Sequence, residues 1–217
     1  MAHPEPERTP GGRGWRVPPN KGRKLPAEAL PRAEVHALLR ACSRRAPSGL
    51  RNRALLAVLY RAGLRIGEAL ALEPRDLDPE NGTLHVRRGK GARPRTVAMD
   101  PEAWAALERW LDRRGQLGVN GRHAVFCTLQ GRPVEASYVR HMMKRLAQRA
   151  GLGRRVSPHM LRHTFASELA REGTPIHVIR RLLGHARLET TAHYCDHLAP
   201  TELVDAVRAR PSWNDEG

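Results

Sequence analysis

The chain has 217 residues, with 38 lysines and arginines against 22 acidic side chains, a formal charge of +16 with histidine neutral. Its apolar fraction of 40% excludes a fully disordered chain, and no apolar stretch approaches the roughly 20 residues of a membrane-spanning helix. Three widely spaced cysteines argue against a disulfide scaffold. We therefore expect one cytoplasmic domain with tails, and the surplus positive charge favours a nucleic acid over a membrane surface as its partner.

The first segment, residues 1–26, is predicted to be a basic, flexible tail. Ten of its residues are Pro or Gly and six are Lys or Arg. Such a stretch cannot bury enough apolar surface to offset the entropy of ordering it. We expect this tail to lie along phosphates, although a leader without function would have the same composition.

Helical periodicity begins near Pro31, where apolar residues recur at i, i+3, i+4 and i+7. A second helix starts near residue 50 and is predicted to end at Gly63, because glycine is typical of helix C-termini. A short helix over 65–72 follows. The turn signal Asn81-Gly82 then indicates a change to strands, which are predicted at 75–79, 83–88 and 94–98, with a connecting loop at 89–93.

The second half of the chain is predicted to be helical again. Asp100-Pro101 and Ser157-Pro158 combine an N-cap residue with proline at the first helical position. Residues 113–123 are predicted to be a loop. Further helices are expected around 139–146, from 158 to about 171, at 175–183 and at 200–209. The predicted fold class is mainly α with a small antiparallel β-sheet (α+β), in a domain over 27–210 followed by a C-terminal tail over 211–217.

Two stretches carry positive charge without acids nearby in the sequence. Five of the nine residues in 87–95 are basic, and residues 136–167 contain seven Lys or Arg and no acid. A solvated surface normally mixes both signs, so we predict that these stretches bind phosphates. The predicted DNA-binding residues are Arg87, Arg88, Arg93, Arg95, Lys144, Arg145, Arg154 and Arg155.

Several polar residues have spacings suited to phosphate chemistry. His159 and Arg162, three apart on a helix, would share a face and could clamp a phosphate oxygen. Most pairs with this spacing, however, lie on a solvated helix face and bind nothing. Arg65 could pair with Glu68, which as an ordinary intrahelical ion pair would contribute about 0.2–0.5 kcal/mol. Lys90, between two glycines at a hairpin tip, could protonate a leaving oxygen or simply attract phosphates.

Together these segments resemble the catalytic domain of the tyrosine recombinases, the phage integrase family. The resemblance covers about residues 27–210, and five separate blocks occur in the family's order. The blocks are Ala62-Gly63-Leu64-Arg65-Ile66-Gly67-Glu68, Gly89-Lys90-Gly91, His159-Met160-Leu161-Arg162-His163-Thr164-Phe165, Leu183-Gly184-His185 and Tyr194.

The resemblance implies a role for each matching residue. Tyr194 matches the nucleophile that attacks the scissile DNA phosphate and forms a 3′-phosphotyrosyl link with a free 5′-hydroxyl. Arg65 and Arg162 match the arginines that hold the phosphate oxygens, and Lys90 matches the general acid for the leaving oxygen. The remaining matches are the two histidine positions, a supporting acid and a buttressing histidine, which are His159, His185, Glu68 and His163.

The chemistry of these roles is physically consistent. Attack at phosphorus builds negative charge on non-bridging oxygens, and cations preorganised around them are usually the largest catalytic contribution. The covalent intermediate conserves the energy of the broken bond, so we expect neither ATP, metal nor another cofactor. A zinc site is the competing interpretation of the histidine-rich segments, and we rank it below phosphate because arginines crowd the candidate ligands. Those ligands are His159, His163, His185, His193, Cys195 and His197.

The resemblance also implies partners. Double-stranded DNA is the expected substrate, with a homo-tetramer on paired sites, a monomer or weak dimer when free, and a nucleoid-associated location. Many members carry a core-binding domain before the catalytic domain, whereas only 26 residues precede the first helix here, so we expect the basic tail to replace it in part. The alternatives are a DNA-binding regulator or accessory protein of the same fold without turnover, and a type IB topoisomerase.

Overall fold

The computed structural model describes residues 29–87, 94–119 and 123–184. Within them the chain forms seven α-helices, a 3₁₀ turn over Pro74–Asp76 and one three-stranded sheet, which confirms the predicted fold class. The helices are α1 (Arg32–Ala41), α2 (Pro47–Arg61), α3 (Ile66–Leu70), α4 (Pro101–Gln116), α5 (Ala136–Arg149), α6 (Pro158–Arg171) and α7 (Ile176–Leu183). The strands are β1 (Leu77–Asp78), β2 (Thr83–Val86) and β3 (Arg95–Ala98).

The central helix is α2, which packs against α4 and α6. An almost unbroken run from Ala54 to Tyr60 is buried, as expected for a helix surrounded by other helices rather than one with a single apolar face. Trp110 of α4 fills the same core, and its indole N–H donates to the Val125 carbonyl at 2.8 Å. A helix held on all sides gives a rigid base for the residues that follow its C-terminus.

The end of α2 is set by Gly63, as its position in the sequence predicts. Gly63 has φ +61°, and a Cβ at this position would overlap the ring of Phe165 on α6. Only glycine therefore allows both the chain reversal and the close approach of α6. The reversal leads directly into Arg65, the residue that precedes α3.

The sheet is antiparallel in the order β1-β2-β3, with Leu84 opposite Val97 and both side chains buried. Its first strand is shorter than the predicted 75–79, because Pro74–Asp76 forms the 3₁₀ turn. In that turn the Asp76 carboxylate accepts a hydrogen bond from the Glu73 N–H at 2.9 Å. The proline and acids at this point thus favour a capped turn over an extended strand.

Helix α4 begins as predicted, since the Asp100 carboxylate accepts from the Ala103 N–H at 3.1 Å. It ends later than predicted, because the expected loop from residue 113 is helical to Gln116. Arg114 explains the difference: it is buried and donates to the carbonyls of Val119 and His123. Its polar side chain therefore stabilises the helix end from inside the protein.

Several predicted features lie outside the described residues. They include the tail over 1–26, the hairpin loop 89–93, the helix at 200–209 and the tail over 211–217. The predicted domain boundaries at 27 and 210 therefore stay predictions. None of the helices in the described ranges is long and apolar enough to span a bilayer.

Candidate active site

Glu68 is the centre of the site. Its side chain is only 1% exposed, although it is a carboxylate on a five-residue helix. One oxygen accepts from the backbone N–H of Arg65 at 2.8 Å, and the other accepts from Arg65 Nη1 at 2.9 Å. The predicted pairing of Arg65 with Glu68 is confirmed. Because the Arg65 side chain is still 40% exposed, it can also bind a ligand from solvent.

A second arginine, Arg95 at the start of β3, binds both oxygens of the same carboxylate. Its Nη2 lies 2.8 Å from Glu68 Oε2 and its Nη1 lies 3.1 Å from Oε1, a two-pronged arrangement. Its Nε donates to the Leu182 carbonyl at 2.7 Å, and the side chain is only 8% exposed. Arg95 is one of the predicted DNA-binding residues, but its guanidinium is covered by Glu68 and α7.

Arg162 on α6 is the third arginine of the cluster. Its guanidinium donates to the carbonyls of Gly63 and Leu183, each at 2.6 Å, and Nη1 lies 3.7 Å from Glu68 Oε2. The side chain is 2% exposed. Arg162 thus joins the end of α2, the start of α3 and the end of α7. The first two flank Arg65 and the third directly precedes residue 185, so Arg162 lies between two segments that the resemblance assigns to phosphate binding.

The three cations determine the ionisation of Glu68. Burial alone would raise the pKa of this carboxyl group. The hydrogen bonds from Arg95 and from the Arg65 backbone, together with the charges of Arg95 and Arg162, outweigh it and lower the pKa to about 2. Glu68 is therefore ionised at any physiological pH, and its single negative charge faces three positive ones. The cluster keeps a net positive charge for an anionic ligand.

His159 lies in the first turn of α6 and is exposed. Partial desolvation of its ring, followed by the positive charges of Arg162 and Arg65, lowers its pKa below the ordinary value. The electrostatic influence of both arginines indicates that His159 shares their site, as its spacing from Arg162 predicts. At neutral pH the imidazole is uncharged and can accept a proton.

The prediction that His159 and Arg162 share a face of α6 is only partly right. Leu161 and Phe165 are buried and form the inner side of the helix. Arg162, however, does not stand beside His159 on a solvated surface, because its guanidinium is covered. His163 is also buried on α6, so its predicted buttressing role stays a prediction consistent with its position.

The remaining predicted catalytic residues lie outside the described residues. Lys90, His185 and Tyr194 belong to this group, as do Arg88 and Arg93 of the predicted DNA-binding set. Their roles stay predictions. Gly184, the last described residue before the segment that contains His185 and Tyr194, lies against Arg95. The residue before Arg95 is the first described residue after the segment that contains Lys90. The described residues next to both segments therefore lie beside Arg95 and Glu68.

The residues on α5 and the following loop that are predicted to bind phosphates differ in exposure. Lys144, Arg145 and Arg155 are exposed, and Lys144 and Arg155 line a surface groove of about 660 Å³. Arg140 and His141 line the same groove. Neither is among the predicted DNA-binding residues, although both belong to the acid-free stretch 136–167.

Two predicted DNA-binding residues instead meet acids from elsewhere in the chain. Arg154 contacts Glu34 of α1 at 2.9 Å. Arg87 contacts Asp76 at 2.7 Å and Glu73 at 3.0 Å. The surfaces formed by the two stretches are therefore less positive than their sequences indicate. Counting charges along a stretch of sequence leaves out acidic residues from other parts of the chain that lie beside it in the fold.

Of the zinc candidates, His159 and His163 are the two that the structure describes. No group of three or more metal-ligating side chains occurs within residues 29–87, 94–119 and 123–184. The described cysteines, Cys42 and Cys127, are buried and free of disulfides. Burial raises the pKa of the Cys42 thiol to about 11, so it stays protonated and unreactive.

The fold and the arginine cluster define a mainly helical domain with a group of three arginines around one buried carboxylate, where the ends of α2 and α7 meet α6. The sequence matches the phage integrase family over residues 28–200, and the chain belongs to that family. It is 39% identical over 189 residues to tyrosine recombinase XerD of Pseudomonas aeruginosa, an alignment that covers 86% of this chain and 62% of the relative. The chain thus spans less than two thirds of that relative's length.

Solved structures share the architecture. The XerA recombinase matches with a TM-score of 0.71 at 33% identity, covering 86% of this chain and 66% of the other. The XerH site-specific recombinase, bound to its difH substrate before cleavage, matches with a TM-score of 0.70 at 30% identity, covering 86% and 55%. Matches of this extent support the assignment of the helical fold to the recombinase family.

Proposed function

We propose that this protein is a tyrosine-type site-specific DNA recombinase, which cleaves and rejoins DNA strands in integration, excision or inversion. One observation carries the proposal: Glu68 holds Arg65 and Arg162 together at the meeting point of three segments. Family membership and the likeness to a recombinase in complex with its DNA substrate support the same activity. A scissile phosphate is the anion that this cluster would bind.

The proposed reaction balances without a cofactor. The Tyr194 phenol oxygen attacks phosphorus, and the bond from phosphorus to the 5′-oxygen of the next nucleotide breaks. Lys90 supplies the proton that the 5′-hydroxyl needs, while His159 accepts the phenol proton. Arg65, Arg162 and His185 stabilise the charge on the non-bridging oxygens. A 5′-hydroxyl from the partner strand then reverses the step and restores the tyrosine.

The first test is covalent trapping on a nicked DNA substrate whose short fragment diffuses away after cleavage. We expect the native chain to form a protein–DNA adduct without added ATP or metal, and Tyr194→Phe to form none, because phenylalanine has no nucleophilic oxygen. Denaturing gel electrophoresis detects the adduct. Tyr60→Phe is the matched control, since the Tyr60 side chain is buried and its hydroxyl donates to the Glu168 carboxylate at 2.8 Å.

The same experiment separates the alternatives. A DNA-binding regulator would retard the substrate on a native gel and form no adduct with either protein. A type IB topoisomerase would form the adduct and also relax a supercoiled plasmid that lacks the recombination site. An adduct that persists in Tyr194→Phe would contradict the proposed nucleophile.

The DNA surface is tested by the salt dependence of binding. Lys144 and Arg145 are exposed on α5, so we expect the double change Lys144→Ala/Arg145→Ala to lower the slope of log K against log salt concentration by about 2, roughly one unit for each lost phosphate contact. Arg109→Ala, which removes an exposed arginine on α4, is the control and should leave the slope unchanged. Fluorescence anisotropy over a salt series measures both. An unchanged slope in the double variant would exclude this helix from the interface.

We infer that the protein is a monomer or weak dimer in free solution and a homo-tetramer on paired DNA sites. We place it in the cytoplasm, associated with the nucleoid. The last predicted helix, at 200–209, would dock on a neighbouring protomer. Sedimentation with paired sites tests this: a chain truncated after Leu198 that still forms tetramers would exclude the docking role.

A further inference from the structure

Arg95 has contacts unlike those of a surface residue. It comes from β3, yet its side chain is 8% exposed and every nitrogen of its guanidinium has a partner. These contacts join the whole guanidinium to groups of the protein itself. Arg95 is therefore placed to hold those groups in position.

The first group that Arg95 holds is the Glu68 carboxylate. Its two-pronged bridge fixes both oxygens of Glu68, at 2.8 and 3.1 Å. One of those oxygens also accepts from Arg65 Nη1, and the other lies 3.7 Å from Arg162. Arg65 holds the same two oxygens from its backbone N–H at 2.8 Å and its Nη1 at 2.9 Å. Arg95 and Arg65 therefore fix the orientation of the carboxylate together, and Arg95 contributes in this way to the spacing of Arg65 and Arg162.

The second group is the end of α7. Arg95 Nε donates to the Leu182 carbonyl at 2.7 Å. Gly184 has φ +63°, and a Cβ at this position would lie 2.8 Å from Arg95 Nη1. The guanidinium thus packs directly on the backbone at the end of α7, while Arg162 bonds to the adjacent Leu183 carbonyl at 2.6 Å. Two arginines from different elements hold consecutive carbonyls of one helix end.

We propose that Arg95 is a positioning residue, which sets the geometry of Arg65 and Arg162 through Glu68 and seats the end of α7 against them. In this role Arg95 acts through Glu68 and the Leu182 carbonyl. The effect on cleavage rests on the proposed recombinase function, whereas the effect on the arginine pair does not. Lysine cannot replace Arg95, because a single ammonium group cannot reach both oxygens of Glu68 and the Leu182 carbonyl in one fixed plane.

The experiment compares Arg95→Lys with the native chain by two readouts. The first is the proton NMR titration of His159, assigned by the signal that is lost in His159→Gln. Desolvation of the ring and, after it, the charges of Arg162 and Arg65 lower the pKa of His159, so displacement of this arginine pair should raise it. The second is the single-turnover cleavage rate on the nicked substrate, which we expect to fall by about 10²-fold while DNA affinity is unchanged.

Arg114→Lys is the matched control. Arg114 is also a buried arginine that donates to backbone carbonyls, but it lies at the end of α4 and contacts Val119 and His123. The Arg114→Lys variant should lose comparable guanidinium hydrogen bonds without changing the His159 titration or the cleavage rate. Arg95→Gln, which keeps an amide donor toward Glu68, is measured alongside in case the lysine variant does not fold.

The outcomes are distinct. A higher His159 pKa and slower cleavage in the Arg95 variants, with neither change in Arg114→Lys, would support the inference. An unchanged His159 titration in both Arg95 variants would overturn it, even where the native chain cleaves DNA normally. An equal change of the His159 pKa in Arg114→Lys would also overturn it, because the effect would then be general loosening. If the native chain forms no adduct, the proposed function fails, and the His159 titration still decides the role of Arg95.

Discussion

Glu68→Gln is expected to lower the free energy of unfolding by about 3 kcal/mol at neutral pH. The pKa of Glu68 falls from 4.5 to about 2 on folding, and each tenfold change in an acid dissociation constant corresponds to about 1.4 kcal/mol. Glutamine has the shape of the protonated carboxyl group but cannot carry the negative charge. It would leave Arg95 and Arg162 buried without their counter-ion, which is costly in a region of low dielectric constant.

The sign of the pH dependence follows from the same lowered pKa. Because folding lowers the pKa of Glu68, its stabilising contribution is fully present above about pH 4.5 and is lost as the pH falls towards about 2. The difference in unfolding free energy between the native chain and Glu68→Gln should therefore shrink over this window. Urea denaturation followed by circular dichroism at a series of pH values measures it.

Glu34→Gln is the control for this prediction. Glu34 also pairs with an arginine, Arg154, at 2.9 Å, but both side chains are more than a quarter exposed. Solvent screens such a pair, so we expect a loss below about 1 kcal/mol. Equal losses in the two variants would contradict the central position that the structure gives to Glu68.

Arg162→Lys is expected to slow single-turnover cleavage by about 10²–10³-fold, the cost of removing one preorganised donor from a transition state. Lysine keeps the charge but loses the planar fork that spans the carbonyls of Gly63 and Leu183. The ammonium group would satisfy at most one of these buried acceptors. The loss should thus appear in the cleavage rate more than in DNA affinity.

A substrate with a methylphosphonate at the scissile position tests the cause of this loss. Replacing one non-bridging oxygen by a methyl group removes the negative charge that the arginines stabilise. The ratio of native to Arg162→Lys rates should therefore be much smaller on the methylphosphonate than on the phosphate. The same ratio on both substrates would show that Arg162 acts by supporting the fold and not by binding the phosphate.

Local features of the sequence predicted most of the fold. The apolar periodicity located α1, α2 and α5, Asp100-Pro101 located the start of α4, and Gly63 located the end of α2. These signals are reliable because each depends on contacts within a few residues of the chain. The end of α4 is predicted too early, because it depends on Arg114, whose hydrogen-bond acceptors lie beyond the end of the helix.

The residue types available for phosphate chemistry, their order in the chain and the pairing of Arg65 with Glu68 follow from the sequence alone. The surroundings of these residues depend on the tertiary structure. It buried Arg162, withdrew Arg95 from the surface and joined both to one carboxylate, although Glu68 and Arg95 are 27 residues apart. Spacing predicts contacts within one helix or hairpin. Burial, counter-ions and pKa values depend on which distant segments the folded chain brings together, and no local pattern encodes that.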